Sequence, residues 1–94
     1  MNNLDTQFRE LDAAAETGWT LLRAANAAAK AGTPSGDLYN QWVAHLEARD
    51  SRSEALREQY FPKAGHLFIG NGRATVASPK MRNIRVVWER SEAA

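Results

Sequence analysis

The spacing of the hydrophobic residues changes once along this chain, at Phe61-Pro62, and that change restricts the fold more than any other feature. Before it, apolar residues recur about every 3.5 positions, as on one face of a helix; after it they alternate, as on one face of a strand. Proline also disfavours the helical region for the residue before it. We therefore expect a helical part at about 3–61, a β part at about 65–90, and a frayed tail at 91–94.

Two long helices are predicted in the first part. The first, residues 3–31, carries apolar residues at steps of three and four and is rich in alanine, the strongest helix former. Gly32 is expected to end it. The segment Thr33-Pro34-Ser35 is typical of a helix start, with Thr33 or Ser35 as the cap and Pro34 in the first turn. The short connection makes the two helices an antiparallel hairpin.

The second helix contains a polar stretch that leaves its length open. Ser51, with Glu54 three positions later, matches a capping box. This favours a break near Arg49 and a short third helix over 52–60. One helix that continues through the polar stretch is the alternative.

The last third predicts three antiparallel strands. Asn71-Gly72 is a strong signal for a two-residue hairpin loop, and such a loop fixes the strand register. The expected opposite pairs are Leu67 with Val76, Ile69 with Ala74, and Phe68 with Thr75. In the third strand the residues expected to face the helices are Ile84, Val86 and Trp88. The predicted fold is a single α+β domain, 1–94, in which the helical hairpin packs on a three-stranded antiparallel β-meander.

The positive charge is concentrated in the last third of the chain. Residues 63–94 contain six basic and two acidic residues, whereas residues 1–62 contain six and nine. This division favours either contact with a polyanion or attraction between the two parts of one fold.

The sheet face turned away from the helices is the predicted binding surface, because it would combine cations with exposed apolar residues. A face that is merely solvated is the alternative. The residues of this candidate surface are His66, Phe68, Arg73, Lys80, Arg82, Arg85 and Val87, together with Thr75.

The first helix has apolar residues on a second side, which predicts a second neighbour. We expect this side to lie between two copies of the chain in a homodimer. Its residues are Ala14, Trp19, Leu21 and Ala28. The alternative places Trp19 in the core of the monomer. Gly18 costs about 1 kcal/mol relative to alanine inside a helix, so we expect a residue across the helix seam to need its space.

No residue pattern predicts an enzyme. The sequence contains no cysteine and two histidines, His45 and His66, so we expect neither a metal nor a cofactor. Segment 70–73, Gly-Asn-Gly-Arg, lacks the third glycine, the Lys-Ser/Thr pair and the following helix of a phosphate-binding loop. No serine lies in a Gly-x-Ser-x-Gly motif, and acidic pairs such as Asp50 with Glu54 fit a solvated helix face.

The sequence therefore predicts a small binding module that acts on another protein as an adaptor or inhibitor and associates with itself. The alternative is a nucleic-acid or nucleotide binder that uses the basic sheet. Size and type alone associate such a chain with phage or mobile-element accessory proteins that inhibit a host or defence complex. The sequence has no signal peptide and no apolar run of membrane length, about 18–20 residues, which predicts a cytoplasmic protein without a membrane partner.

Overall fold

The computed structural model describes residues 3–91, and its elements follow the predicted order. The elements are α1 (Asn3–Lys30), α2 (Gly36–Tyr60), β1 (His66–Gly70), β2 (Arg73–Ala77) and β3 (Ile84–Glu89). The strands form one antiparallel sheet in the order β1-β2-β3, and the helices pack against it. The α+β prediction is confirmed. Of the predicted tail 91–94, residues 92–94 lie outside the described residues.

The turn between the helices ends α1 as predicted. Gly32 has a φ of 77° and donates its N–H to the carbonyl three residues earlier, while the N–H of Thr33 donates to the carbonyl of Ala28 at 3.0 Å. These two bonds form a Schellman motif, in which glycine adopts the positive φ without strain. Of the two predicted cap residues, Ser35 is the N-cap of α2, whereas the Thr33 hydroxyl donates to the carbonyl of Ala28 and so serves α1. Pro34 precedes α2, and Ser35 makes no side-chain cap bond.

The second helix is continuous across its polar stretch, so the predicted third helix is wrong. Arg52 pairs with Glu10 of α1 at 2.8 Å, and the hydroxyl of Ser53 donates to the carbonyl of Leu67 on β1 at 3.4 Å. Leu56, one turn later, is buried in the core. Contacts with both α1 and β1 thus hold this stretch in the helix, although its local pattern favours a new helix start.

The Asn71-Gly72 turn sets the register of β1 and β2 as predicted. Both residues have positive φ, 55° and 78°, as a two-residue type I′ hairpin loop requires. The observed pairs are Leu67 with Val76, Phe68 with Thr75, and Ile69 with Ala74.

A β-bulge interrupts the pairing of β3 with β2. Ala74 pairs with Trp88, but the next residue of β2, Thr75, pairs with Val86. Val87 is therefore an extra residue on β3. Both Val87 and Trp88 pack against the core, although they are adjacent in sequence.

The bulge exchanges the faces predicted for the remaining residues of β3. Ile84 is 59% exposed and Val86 is also exposed, so the prediction that they face the helices is wrong. Arg85 instead pairs with Val76, whose side chain is buried, and Val87 lies against the core. The prediction that Arg85 and Val87 share the open sheet face is wrong for the same reason. One inserted residue reverses the alternation of all residues on one side of it.

An aromatic cluster holds β3 against α1. The Phe8 ring lies 6.5 Å from the Phe61 ring and 5.8 Å from the Trp88 ring. The indole N–H of Trp88 donates to Asp5 of α1 at 2.7 Å. Trp88 therefore satisfies its polar group while it packs, as a partly buried tryptophan requires.

A buried carboxylate, Asp12, attaches the sheet to α1. Asp12 is 2% exposed, accepts the N–H of Gly72 at 2.9 Å and pairs with the guanidinium of Arg90 at 3.2 Å. The N–H of Arg90 donates to the carbonyl of Gly72. Asp12 thus joins α1 to the turn between β1 and β2 and to the residue that follows β3. Its carboxylate is both ion-paired and hydrogen-bonded, as a buried charge must be.

Replacing Asp12 should reduce the free energy of unfolding strongly. We expect Asp12→Ala to cost about 3 kcal/mol, because it leaves the Gly72 N–H without its acceptor and Arg90 without this ion pair. Glu10→Ala is the matched control and should cost less than about 1 kcal/mol, since Glu10 pairs with Arg52 on the surface. Urea denaturation followed by circular dichroism measures both; equal losses would contradict the anchoring role of Asp12.

Close backbone approach between Gly65 and Pro79 predicts a second stability difference. A Cβ on residue 65 would overlap the Cα of Pro79, and backbone cannot move aside as a flexible side chain can. We expect Gly65→Ala to lower the free energy of unfolding by about 2 kcal/mol. Gly36→Ala, at the start of α2 where no atom lies within 4 Å, should be neutral or stabilising. Thermal unfolding of both variants tests this, and an unchanged melting temperature for Gly65→Ala would refute it.

Candidate binding clefts

The helical hairpin is longer than the sheet, and the molecule is therefore concave. The 28 residues of α1 span about 42 Å, whereas a five-residue strand spans about 17 Å. The radius of gyration is 15.4 Å, against about 12 Å for a compact chain of this length. The helices pack mainly on β1, and the two larger clefts among residues 3–91 lie at different ends of the sheet.

The first cleft, which we call the aromatic cleft, lies between the hairpin and the β1 side of the sheet. Its volume of about 600 Å³ falls within the range of small-molecule binding pockets. Its side-chain lining includes Trp19 and Leu22 from α1, Trp42, His45, Leu46 and Arg49 from α2, and Phe68, Arg73 and Thr75 from the sheet.

The aromatic side chains of this cleft are unusually open to solvent for their size. Trp19 is 52% exposed and Phe68 is 51% exposed, while Trp42 is half-buried. The Phe68 ring also stacks on His66, with the ring centroids 5.8 Å apart. Large apolar side chains that share one concave surface are typical of an interaction site.

Gly18 lies at the base of the aromatic cleft, where His45 covers it. A Cβ on residue 18 would lie 3.4 Å from Cδ2 of His45. The Nε2 atom of His45 lies 2.6 Å from the carbonyl oxygen of Ala14. Because a carbonyl can only accept, Nε2 carries the proton. The predicted neighbour of Gly18 across the helix seam is thus His45, and its ring is held between the two helices.

The charges that line the aromatic cleft are positive. Arg49 and Arg73 contribute guanidinium groups, and no carboxylate of residues 3–91 lines the cleft. Arg49 lies 3.9 Å from Asp50 at the limit of an ion pair, and Arg73 has no ion pair within the described chain. Aromatic surface and positive charge together complement a ligand that is apolar and anionic.

The second cleft, which we call the basic cleft, lies beyond the end of α2 and has a volume of about 700 Å³. The helix ends at Tyr60 because Phe61 precedes Pro62, so it does not extend over this end of the sheet. The side chains that define the cleft are Tyr60, Phe61, Lys63, Arg82, Ile84 and Arg85.

One wall of the basic cleft is held by Arg57. Its guanidinium donates to the carbonyl of Ala64 at 2.7 Å and forms an ion pair with Glu54. The hydrogen bonds from Arg57 lower the pKa of the Glu54 carboxyl, and Glu54 in turn raises the pKa of Arg57. Because the carboxyl pKa is lower in the folded state than in the unfolded state, the ion pair stabilises the folded state at pH values above the unfolded pKa. This stabilisation is lost as the pH falls through the folded-state pKa.

The basic residues of the last third are mostly not paired within the chain. Arg90 pairs with Asp12 of α1. The other five, which form no ion pair within residues 3–91, are Lys63, Arg73, Lys80, Arg82 and Arg85. Of the six basic residues in the last third, one therefore forms an ion pair with the acidic first part of the chain. The other five are accessible to solvent or to a partner.

The residues predicted for the sheet-face binding surface do not lie together on one surface. Phe68 and Arg73 line the aromatic cleft, whereas Arg82 and Arg85 line the basic cleft. His66 stacks on Phe68. Lys80 is exposed in the turn before β3, and Val87 packs against the core.

The four residues predicted for self-association do not share one side of α1. Ala14, Leu21 and Ala28 follow each other at steps of seven, which places them in one row, and all three are half-buried. Trp19 lies about 140° around the helix from Ala14. It lines the aromatic cleft with Trp42 instead.

Sequence reasoning did not assign Trp42, His45 or Arg49 to a site. Trp42 lies on the apolar stripe of the second helix, which by itself indicates a position in the hairpin seam. The signal that could have found them is their spacing, since steps of three and four place all three on one face of α2. That face carries both an aromatic ring and a cation.

Metal binding and membrane crossing are not indicated by the described residues. Within residues 3–91, no group of three or more His, Asp or Glu side chains is placed to hold a metal ion. None of the helices within residues 3–91 has an apolar stretch of the length that a membrane span requires.

In comparisons with known proteins, no family model, no curated protein and no solved structure matches the chain.

The exposure of Trp19 predicts that it contributes much less to folding than Trp88. We expect Trp19→Ala to lower the free energy of unfolding by about 1 kcal/mol, because half of its surface is already in water. Trp88→Ala should cost about 3–5 kcal/mol, since it removes the contact with Phe8 and the bond to Asp5. Urea denaturation measures both. If Trp19→Ala unfolds the chain, Trp19 belongs to the core.

Proposed function

We propose that this chain is a non-enzymatic binding module that holds an apolar, acidic segment of a partner protein in the aromatic cleft. The observation that carries the proposal is the pair of half-exposed aromatic side chains, Trp19 and Phe68, in a cleft whose charged lining residues are Arg49 and Arg73. The module acts by covering the segment it binds, which is the action of an adaptor or a small inhibitor.

The residue types of the cleft support a protein partner. Tryptophan and arginine are the residues most enriched where a few side chains supply most of the binding energy of an interface. Trp19 and Trp42 offer flat apolar surface for an inserted aromatic or aliphatic side chain. A guanidinium such as that of Arg73 can bind a carboxylate through two parallel hydrogen bonds.

A second copy of the chain is the alternative occupant, and the charge of the cleft disfavours it. A two-fold interface brings the same surface of both subunits together. Two aromatic clefts facing each other would therefore place Arg49 and Arg73 of one copy near the same residues of the other. Like charges at an interface cost free energy, whereas acidic residues of a different protein would neutralise them.

Catalysis has less support from the same geometry. His45 is the histidine that lines the cleft, and its Nε2 is engaged by the carbonyl of Ala14. A general base needs a free nitrogen aimed at substrate, and usually an orienting carboxylate on the other nitrogen. No carboxylate of the described residues lines the cleft, so a binding role is favoured.

A displayed library of random peptides tests the proposal with the whole chain as the target. We expect selected peptides to combine an aromatic or large aliphatic residue with Asp or Glu. A synthetic peptide from the selection should bind Trp19→Ala at least tenfold more weakly than the wild type, which corresponds to about 1.4 kcal/mol. Ile84→Ser, which removes an exposed apolar residue outside the aromatic cleft, should leave the affinity unchanged.

Two results would contradict the proposal. The first is a selection without enrichment, or peptides that bind Trp19→Ala as tightly as the wild type. The second is a wild-type chain that sediments as a dimer and becomes a folded monomer on Trp19→Glu, because the cleft would then be occupied by a second copy.

A further inference from the structure

We infer that the basic cleft is a separate site, which binds single-stranded nucleic acid through its phosphates and one stacked base. This inference does not depend on the aromatic cleft or on its occupant. It rests on three properties of the basic cleft: its unpaired cations, its exposed aromatic side chain and its concave shape.

The cations of the basic cleft have no counter-charge in the folded chain. Lys63, Arg82 and Arg85 line it together, and none forms an ion pair within residues 3–91. The neighbouring acids of α2, Glu54 and Glu58, both contact Arg57. Three cations that share a cleft repel each other, and a chain of phosphates would relieve that repulsion.

The β-bulge brings the third cation to this cleft. With regular alternation, Arg85 would lie on the same face of the sheet as Phe68 and Thr75. The inserted residue, Val87, turns Arg85 to the side of its partner Val76, at the end of the sheet where α2 has already ended. The same irregularity that packs β3 on the core therefore concentrates positive charge beside the end of α2.

The turn before β3 holds the second cation in place. The hydroxyl of Ser78 accepts the backbone N–H groups of Arg82 and Asn83, at 3.0 and 3.1 Å. The N–H of Ser78 donates to the carbonyl of Asn83 at 2.9 Å. The backbone at Arg82 is thus fixed, and its guanidinium extends from an ordered turn into the cleft.

An exposed aromatic ring lies beside these cations. Tyr60, the last residue of α2, is exposed and lines the cleft next to Phe61. The ring of Phe61 is held by its contact with Phe8, so this part of the wall is fixed. Single-strand binders combine a positive groove along the backbone with an aromatic side chain on which a base stacks.

The shape of the cleft favours one strand over a duplex. A protein reads a duplex by inserting a protruding helix or β-ribbon into a groove. The basic cleft is instead a concavity, bounded by the segment after α2 and by the turn before β3, which meet where Gly65 lies against Pro79. Its volume of about 700 Å³ accommodates a nucleotide unit of an extended strand.

Titration of a fluorescent twelve-nucleotide oligothymidine with the whole protein tests the inference. We expect binding at low salt, with log affinity falling against log salt at a slope of about −2, since three contacts each contribute about −0.7 on a single strand. The double variant Arg82→Ala, Arg85→Ala should bind about tenfold more weakly and have a slope of about −0.7. The control Arg23→Ala, Lys30→Ala removes the same charge from α1 and should change the affinity less than about threefold.

Each other outcome overturns the inference. No binding of the oligonucleotide at low salt removes the site. Equal weakening by the two double variants assigns the binding to net charge instead of to the cleft. Tighter binding of a duplex of the same length, or of polyglutamate, assigns the cleft to another anionic partner. Circular dichroism of both double variants, which change exposed cations, confirms that the fold is retained.

Discussion

The carboxylate of Asp12 determines where the sheet lies on the helices. The acid has one position on α1, and the turn that joins β1 to β2 must reach it with the N–H of Gly72. Gly70 consequently lies next to Ala15, where a Cβ on it would be 3.7 Å from that of Ala15. The end of β1 therefore lies about one helical turn before Trp19 on α1. The location of the aromatic cleft depends on that attachment.

The parts of the fold that the sequence determines are those with a local cause. The two-residue loop at Asn71-Gly72 has one compatible register, and Gly32 ends α1 through its own positive φ. The bulge at Val87 and the continuous α2 have tertiary causes. The alternation of β3 is regular in sequence, and the extra residue, Val87, packs on the core beside Trp88, which contacts Phe8 and Asp5 of α1. No local pattern contains that information.

The same distinction applies to the candidate sites. The sequence predicts that Trp19, Phe68 and Arg73 each contact a partner. It places Trp19 on the second apolar side of the first helix, however, and Phe68 and Arg73 on the sheet face. Their meeting in one cleft depends on how far the hairpin extends past the sheet, which is a property of the assembled chain. Arg82 and Arg85 were predicted as part of a binding surface, whereas their grouping with Lys63 follows from the bulge and from the end of α2.

The walls of the aromatic cleft differ in how firmly they are held. The sheet wall is attached through Asp12 to a core built around Phe8 and Leu56. In the helical wall beyond Gly18, Ala25 is the one buried residue of α1 within the described chain, and the first buried residue of α2 is Leu56. Segments with fewer buried contacts open locally at lower free energy. A ligand that bridges both walls would therefore slow the opening of the hairpin tip, so that amide protons near the interhelical turn would exchange more slowly although they lie outside the cleft.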